Sequence, residues 1–245
     1  MSNRIVSWFS CGAASAVATK LMLQEEDPVI IAYCYVKEEH DDNMRFLHDC
    51  EKWFGQEVLI LKNEKYKGSC HEVFKKQFFN TPHGSPCTRE LKQKVRLNFQ
   101  QPNDIIVFGY TAEEEERLNT FIDRNPEVPV RAPLVEQGIT KEDVLAMIER
   151  ADIELPVMYK LGYEHNNCVG CVKGGMGYWN KIRVDFPNEF KAYAELERER
   201  GYTILKDRNG PIYLDELDPK RGRMSDEPKI QCGILCEAAI KSYGG

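Results

Sequence analysis

Nine cysteines stand in this 245-residue chain, and four of them are spaced for shared chemistry. Cys168 and Cys171 are separated by Val169-Gly170, a gap that lets two thiolates face one ion from a tight turn, and glycine suits such a turn. Cys232 and Cys236 lie about one helical turn apart, so a helix would present both sulfurs to one side. The two pairs together supply the sulfur ligands of a tetrahedral zinc site or an iron–sulfur cluster. Small buried hydrophobes are the competing reading, a frequent fate of cysteine outside disulfides. Cys11, Cys34, Cys50 and Cys70 occur in apolar or isolated contexts and are read as packing residues.

A second constellation is Ser10-Cys11-Gly12-Ala13-Ala14-Ser15, a run of small residues. Small side chains let a phosphate approach backbone amides, and Ser10 and Ser15 add hydroxyl donors. The run is not a Walker loop, because no Gly-Lys-Ser/Thr ends it, and a single glycine is not a dinucleotide fingerprint. An ordinary connection between a strand and a helix fits the same residues. The cations Arg89, Lys92 and Arg117 follow a cysteine or a strand end, where they could hold phosphate or line a solvated helix face. Glu38 to Asn43 is a polar, acidic stretch at the end of an apolar run, suited either to a ligand or to capping the next helix.

The surrounding elements would place these groups. Ile5 to Phe9 is a short apolar run rich in strand formers. After the small-residue loop, Ala14, Val17, Ala18 and Leu21 recur at helical spacing, so the loop opens a helix whose first amides lack partners. Val29 to Val36 and Glu57 to Leu61 read as strands two and three, with a helix from Met44 to Phe54 between them. That βαβαβ order predicts a parallel sheet with crossover helices, centred on Ile5 to Phe9. A helix is expected at 71–79, another after Cys87–Lys92 running to about Phe99, a fourth strand at 104–111 and a short fifth strand at 131–137. Thr140 with Asp143 opens a helix through Arg150 as a capping box would. A charged helix is expected at 186–200.

Composition bounds the rest. Hydrophobic residues make up 42% and charged residues 29%, as in a globular protein that needs no disulfide staples. A formal charge of −6 argues against broad nucleic-acid binding while leaving room for a local basic patch. No segment has the length of a membrane span, and the first residues lack a signal-peptide apolar region, so a cytoplasmic protein is expected.

Ser10, Gly12 and Ser15 match the S-G-G-x-D-S loop of the PP-loop superfamily, which the chain resembles. Further along, Pro86-Cys87-Thr88-Arg89, Gly109-Tyr110-Thr111 followed by Glu116-Arg117, Thr140 to Val144, and Gly162-Tyr163 before Cys168 and Cys171 occur in the order found in phosphoadenosine-phosphosulfate (PAPS) reductases. The resemblance implies a doubly wound, Rossmann-like α/β fold. It implies an adenine-nucleotide domain over residues 1–150 and a helical, cysteine-rich region over 151–245. Implied nucleotide contacts are Ser10, Cys11, Gly12, Ala13, Ala14, Ser15, Arg89, Lys92, Gly109 and Arg117, with PAPS, APS or ATP as the nucleotide. Cys232 is the implied nucleophile, working with a thiol reductant or sulfur donor.

Departures from the pattern qualify that expectation. Cys11 replaces a glycine and Ala14 replaces the loop aspartate, a carboxylate that could help hold Mg²⁺. Gln231-Cys232-Gly233 carries glutamine where the reductases have glutamate, and the following histidine position is not kept. The iron–sulfur branch has a Cys-Cys pair where this chain has only Cys87, so a cluster built there would take Cys87, Cys168, Cys171 and one further ligand. The readings carried forward are a PAPS-reductase-like enzyme, an ATP pyrophosphatase that thiolates a substrate such as nucleic acid, and a non-catalytic nucleotide-binding module with structural zinc.

Overall fold

The computed structural model describes residues 4–24, 28–81, 84–166, 168–227 and 230. They fall into two compact units that interleave along the chain, one within 1–35, 40–61 and 96–166, the other within 36–39, 62–95 and 167–245.

The first unit is built on β1 (Ile5–Trp8), whose four residues are all buried. A strand buried on both faces needs apolar side chains on both, and Ile5, Val6 and Trp8 provide them. It pairs in parallel with β2 (Val29–Cys34) on one side and β4 (Ile105–Val107) on the other, with Ile5 opposite Val29 and Ile105. β3 (Leu59–Leu61) and β5 (Val130–Arg131) complete a parallel five-stranded sheet in the order β3-β2-β1-β4-β5. The α/β fold with β1 at its centre is thus as the βαβ order predicts.

Helix α1 (Ala13–Met22) follows β1 and packs against α7 (Pro133–Glu136) and α8 (Lys141–Arg150). Its buried residues include Ala13, Ser15, Ala16, Val17, Ala18 and Thr19, a broader face than the expected stripe, in which Ala14 and Leu21 are only half-buried. Helix α2 (Asp42–Phe54) buries Phe46, Leu47, Cys50 and Phe54 in the same core as Phe9, Ile31 and Tyr33. The Thr140 capping box is present: the Asp143 amide donates to Thr140 Oγ1 (3.2 Å) and the Thr140 amide donates to Asp143 Oδ2 (3.0 Å).

Several boundaries differ from expectation for local reasons. The strand expected over 104–111 stops at Val107, because Gly109 carries the chain across the N-terminus of α1. The strand expected over 131–137 is only Val130–Arg131, because Pro133 lacks an amide proton and starts α7 instead. β2 and β3 are likewise shorter than 29–36 and 57–61.

In the second unit, α3 (Cys70–Phe74) replaces the longer helix expected over 71–79. It packs against α4 (Pro86–Thr88), which runs through a wide turn at Arg89–Gln93 into α5 (Lys94–Phe99). Helices α10 (Met176–Asp185) and α11 (Pro187–Arg200) pack on each other, and an antiparallel hairpin, β6 (Leu205–Asp207) with β7 (Gly210–Ile212), follows. Trp179 and Tyr193, both fully buried, form the aromatic centre with His71 and Phe74. No helix among the described residues is long and apolar enough to cross a membrane.

Candidate nucleotide site and thiol cluster

The small-residue loop joins the carboxyl end of the central strand β1 to α1. Because β2 and β4 flank β1 on opposite sides, the strand order reverses there, the position where open α/β sheets take their ligands. Ser15 organises the loop from its far end. Its Oγ accepts from the Ser10 amide (3.0 Å), donates to Gly12 O (2.9 Å) and lies 3.1 Å from Ser10 Oγ. Gly12 is the N-cap in extended conformation (φ −109°), and no N-cap side chain bonds to the first-turn amides of α1. The helix therefore presents its positive dipole end beside two hydroxyls.

Two further segments close on this loop. Gly109, two residues beyond β4, is pressed against the helix start: a Cβ there would lie 2.6 Å from the Ser15 amide nitrogen and Cα. Asn166, nearly fully buried, donates through Nδ2 to Cys11 O (2.6 Å) and Asn43 Oδ1 (2.7 Å). Cys11 itself has φ +54°, the left-handed region that favours the glycine it replaces. Tyr159, in α9 (Val157–Lys160), brings its hydroxyl oxygen to the amides of Ala13 and Asn166. Burial raises its pKa, and those two amides oppose the rise. Neither Asn166 nor Tyr159 carries a motif, and sequence reading missed both.

Of the cations, Arg117, in α6 (Glu115–Arg124), belongs to this unit. It ion-pairs with Glu114 (2.7 Å) and lies over the Tyr110 ring at 4.8 Å. Arg89 and Lys92 belong to the second unit. Arg89 Nη2 donates to Gln77 Oε1 (2.6 Å). Lys92 is buried and ion-pairs with Glu39 at 3.0 Å.

The second unit gathers thiols. Cys70, read from the sequence as a packing residue, contacts the side chains of both Cys168 and Cys87 by hydrogen bonds. Those contacts, with burial, hold its pKa well above the usual thiol value. Cys87 is lowered, first by the hydrogen bond from Cys70 against the effect of burial, then by the charges of Lys173 and Lys92 and a hydrogen bond with Thr88. Glu38 ties two of the thiol-bearing segments together. Its carboxylate accepts from the amides of Cys70 (2.7 Å) and His71 (3.3 Å), and its carbonyl accepts from the Val169 amide (2.8 Å). So the polar stretch caps α3 through Glu38, and it also meets the next helix in sequence, the His40 ring nitrogen accepting from the Asp42 amide at the start of α2 (3.1 Å).

The Cys168–Cys171 turn is held from within. Gly170 has φ +75°, and a Cβ there would meet the Tyr193 ring at 2.6 Å. The Tyr178 hydroxyl accepts from the Cys171 amide (2.9 Å) and donates to Cys168 O (3.2 Å). Among the described residues, no group of three or more His, Cys, Asp or Glu side chains is arranged to hold a metal ion. Cys232 and Cys236, the expected nucleophile and tail ligands, lie outside the described residues. Cys34 and Cys50 are packing residues as expected, and burial pushes the Cys50 thiol far up.

No protein-family model matches the chain, and no curated protein matches it. Among solved structures it is similar to phosphoadenylyl-sulfate (PAPS) reductase from Candida auris, in a phosphate complex. The TM-score is 0.51 at 12% identity, covering 67% of this chain and 80% of that one. The chain therefore has a PAPS-reductase-like α/β fold.

Proposed function

We propose that the protein is a nucleotide-using enzyme of sulfur chemistry, which binds a sulfated adenine nucleotide at the Ser10–Ser15 loop and reduces it through a cysteine thiolate. The observation that carries this reading is the loop itself: a helix start with no N-cap side chain at the reversal point of the sheet, lined by two hydroxyls and closed by a glycine backbone. In the proposed reaction a thiolate sulfur attacks the sulfuryl sulfur, and the S–O bond to phosphate breaks. The nucleotide leaves with that electron pair, and an S-sulfonated cysteine remains. A second thiol then attacks the cysteine sulfur, releasing sulfite and forming a disulfide, so the two electrons come from the thiol pair. Cys232 is the proposed nucleophile, and a reduced thiol partner the proposed second reactant.

One observation weighs between sulfated nucleotide and ATP. The first turn of α1 contains no acidic residue, so the loop brings no carboxylate to a nucleotide-bound Mg²⁺. This favours the reductase reading over the ATP pyrophosphatase reading. Titration calorimetry with PAPS, APS and Mg-ATP tests it, followed by sulfite release in the presence of a dithiol. Tighter binding of a sulfated nucleotide without Mg²⁺ is expected. Binding of Mg-ATP alone would overturn the choice of substrate, and binding of no adenine nucleotide would overturn the function.

A further inference from the structure

The second unit carries a basic, aromatic surface that the nucleotide reading does not use. Residues 62–94 hold eight lysines and arginines against three glutamates, in a chain whose formal charge is −6. Internal pairing takes up part of that excess. Lys62 lies 3.9 Å from Glu64, Lys75 pairs with Glu72 (2.7 Å), Lys92 with Glu39 (3.0 Å), and Lys94 and Arg89 with the buried Glu90 (2.9 and 3.4 Å). Lys65, Lys67 and Lys76 are exposed and enter no ion pair among the described residues.

Gln77 ties this surface together. It donates through Nε2 to the Tyr66 hydroxyl (3.1 Å), its Oε1 accepts from Arg89 Nη2 (2.6 Å), and its carbonyl accepts from the Tyr202 hydroxyl (2.6 Å). Lys65 and Lys76 both lie over the buried Tyr66 ring, 5.2 and 5.7 Å from its centroid. Arg200 Nε donates to the Tyr202 hydroxyl (3.0 Å), with the guanidinium 5.3 Å from the ring centroid. Phe78 is 63% exposed and stands against Tyr202, 4.8 Å between ring centroids. Cations and an open aromatic face thus share one connected network within one unit.

We propose that this surface binds single-stranded nucleic acid, with Lys65, Lys76 and Arg200 on phosphates and a base stacked on Phe78. Lysines left outside ion pairs attract a phosphate backbone. An exposed ring offers a base a face to stack on, which a duplex, its bases already stacked, does not use. An acidic peptide would engage the cations and leave Phe78 in water. An anionic membrane would engage both, but would take Phe78 only as apolar area. Glu64, Glu72 and Glu199 border the surface, Glu199 near enough to act electrostatically on Lys75. With the negative charge of the whole chain, they confine the contact to a few nucleotides.

The test is fluorescence anisotropy of the full chain with labelled RNA and DNA strands of about 12 nucleotides and the matching duplex. Binding of at least one single strand is expected, with the duplex weaker, and the ratio of the RNA and DNA affinities tells which the protein takes. Three phosphate contacts set a log–log salt slope of about −2, so affinity should fall roughly tenfold between about 50 and about 150 mM salt. Phe78→Ala and Phe78→Leu should each weaken binding roughly 5- to 100-fold with the slope unchanged, and Phe78→Trp should keep it. Exposure of Phe78 makes these variants safe for the fold. Changing Lys65 and Lys76 together to glutamine should make the slope shallower by about 1.4. No binding of either strand at the lower salt, tighter binding of the duplex, or wild-type affinity in Phe78→Ala would each overturn the proposal. So would capture by phosphatidylglycerol vesicles that Phe78→Leu leaves intact, which would make the surface a membrane contact. Calorimetry that finds no adenine nucleotide at the Ser10–Ser15 loop would sink the functional reading and leave this one standing.

Discussion

Replacing Gly109 by alanine is the sharpest test of how the loop is built. The new Cβ would sit 2.6 Å from the Ser15 nitrogen and Cα and 2.8 Å from the Ala14 carbonyl carbon, all backbone atoms that cannot swing away. Restoring ordinary contact requires a displacement of about 0.8 Å between the Gly109 segment and the start of α1. Overpacking of this kind costs about 1–3 kcal/mol, partly offset by about 0.4–1 kcal/mol because alanine narrows the unfolded ensemble. A net loss of about 1–2 kcal/mol should lower Tm by roughly 2–8 °C for a chain of this size. The same displacement moves the amides expected to hold phosphate. Losing one hydrogen bond to a charged group, about 1.5–3 kcal/mol, weakens nucleotide binding by roughly 10- to 100-fold. Gly12→Ala is the counterpart. Its Cβ would make only ordinary contacts, 3.5 Å from the Tyr159 hydroxyl and 3.7 Å from Ser10 Oγ, and its φ suits alanine. It should leave Tm nearly unchanged and still reduce affinity at least about tenfold, by filling space the phosphate needs. Scanning calorimetry and titration calorimetry on both variants make the comparison. Wild-type affinity in Gly12→Ala would refute the loop as the phosphate site, and wild-type Tm in Gly109→Ala would refute the close approach.

Other expectations follow from single contacts. Glu197 is fully buried, accepts from the amides of Ile204 and Leu214 at 2.6 Å each, and burial raises its pKa to about 7. The folded state thus keeps a proton that the unfolded chain loses near pH 4.3, so stability falls as pH rises from about 4.5 to 7, by up to about 3 kcal/mol; urea titrations should show Glu197→Gln flattening that slope. Tyr178→Phe removes the hydroxyl from the Cys171 amide and the Cys168 carbonyl and should cost about 1–3 kcal/mol in the same assay. At Cys11 the usual ranking of alanine over glycine should invert: with φ +54°, Cys11→Gly should be about 1 kcal/mol more stable than Cys11→Ala.

The sheet was legible because parallel strands announce themselves twice, as apolar runs and by their alternation with helices. Ile5–Trp8 needed only its own side chains and the helix after the small-residue loop. The loop's place between β1 and α1 was legible because a run of small residues after an apolar stretch leaves a trace in composition. Tyr159 and Asn166 left none, since each reaches the loop from about 150 residues away by a contact that only folding creates. The surroundings of Cys70, a buried residue as expected, were illegible for the same reason. Its neighbours Ser69 and His71 give no hint that Glu38, 32 residues earlier, fixes its amide, or that Cys87 and Cys168 converge on its sulfur.

The two departures in the loop have opposite physical meanings. A cysteine at φ +54° in place of glycine is a local cost, and it persists because the surroundings hold the backbone: Asn166 binds the Cys11 carbonyl and the side chain is fully buried. Alanine in place of aspartate costs the fold nothing, since position 14 is a half-buried site on a helix that favours alanine. What it changes is charge. Without a carboxylate in its first turn, α1 offers an anion only amides, a positive dipole end and two hydroxyls. Such a site holds phosphate most tightly when no metal ion has already neutralised it. An affinity that falls when Mg²⁺ is added is therefore the signature that separates this loop from one built for Mg-ATP, and an affinity that rises with Mg²⁺ would show the argument from Ala14 to be wrong.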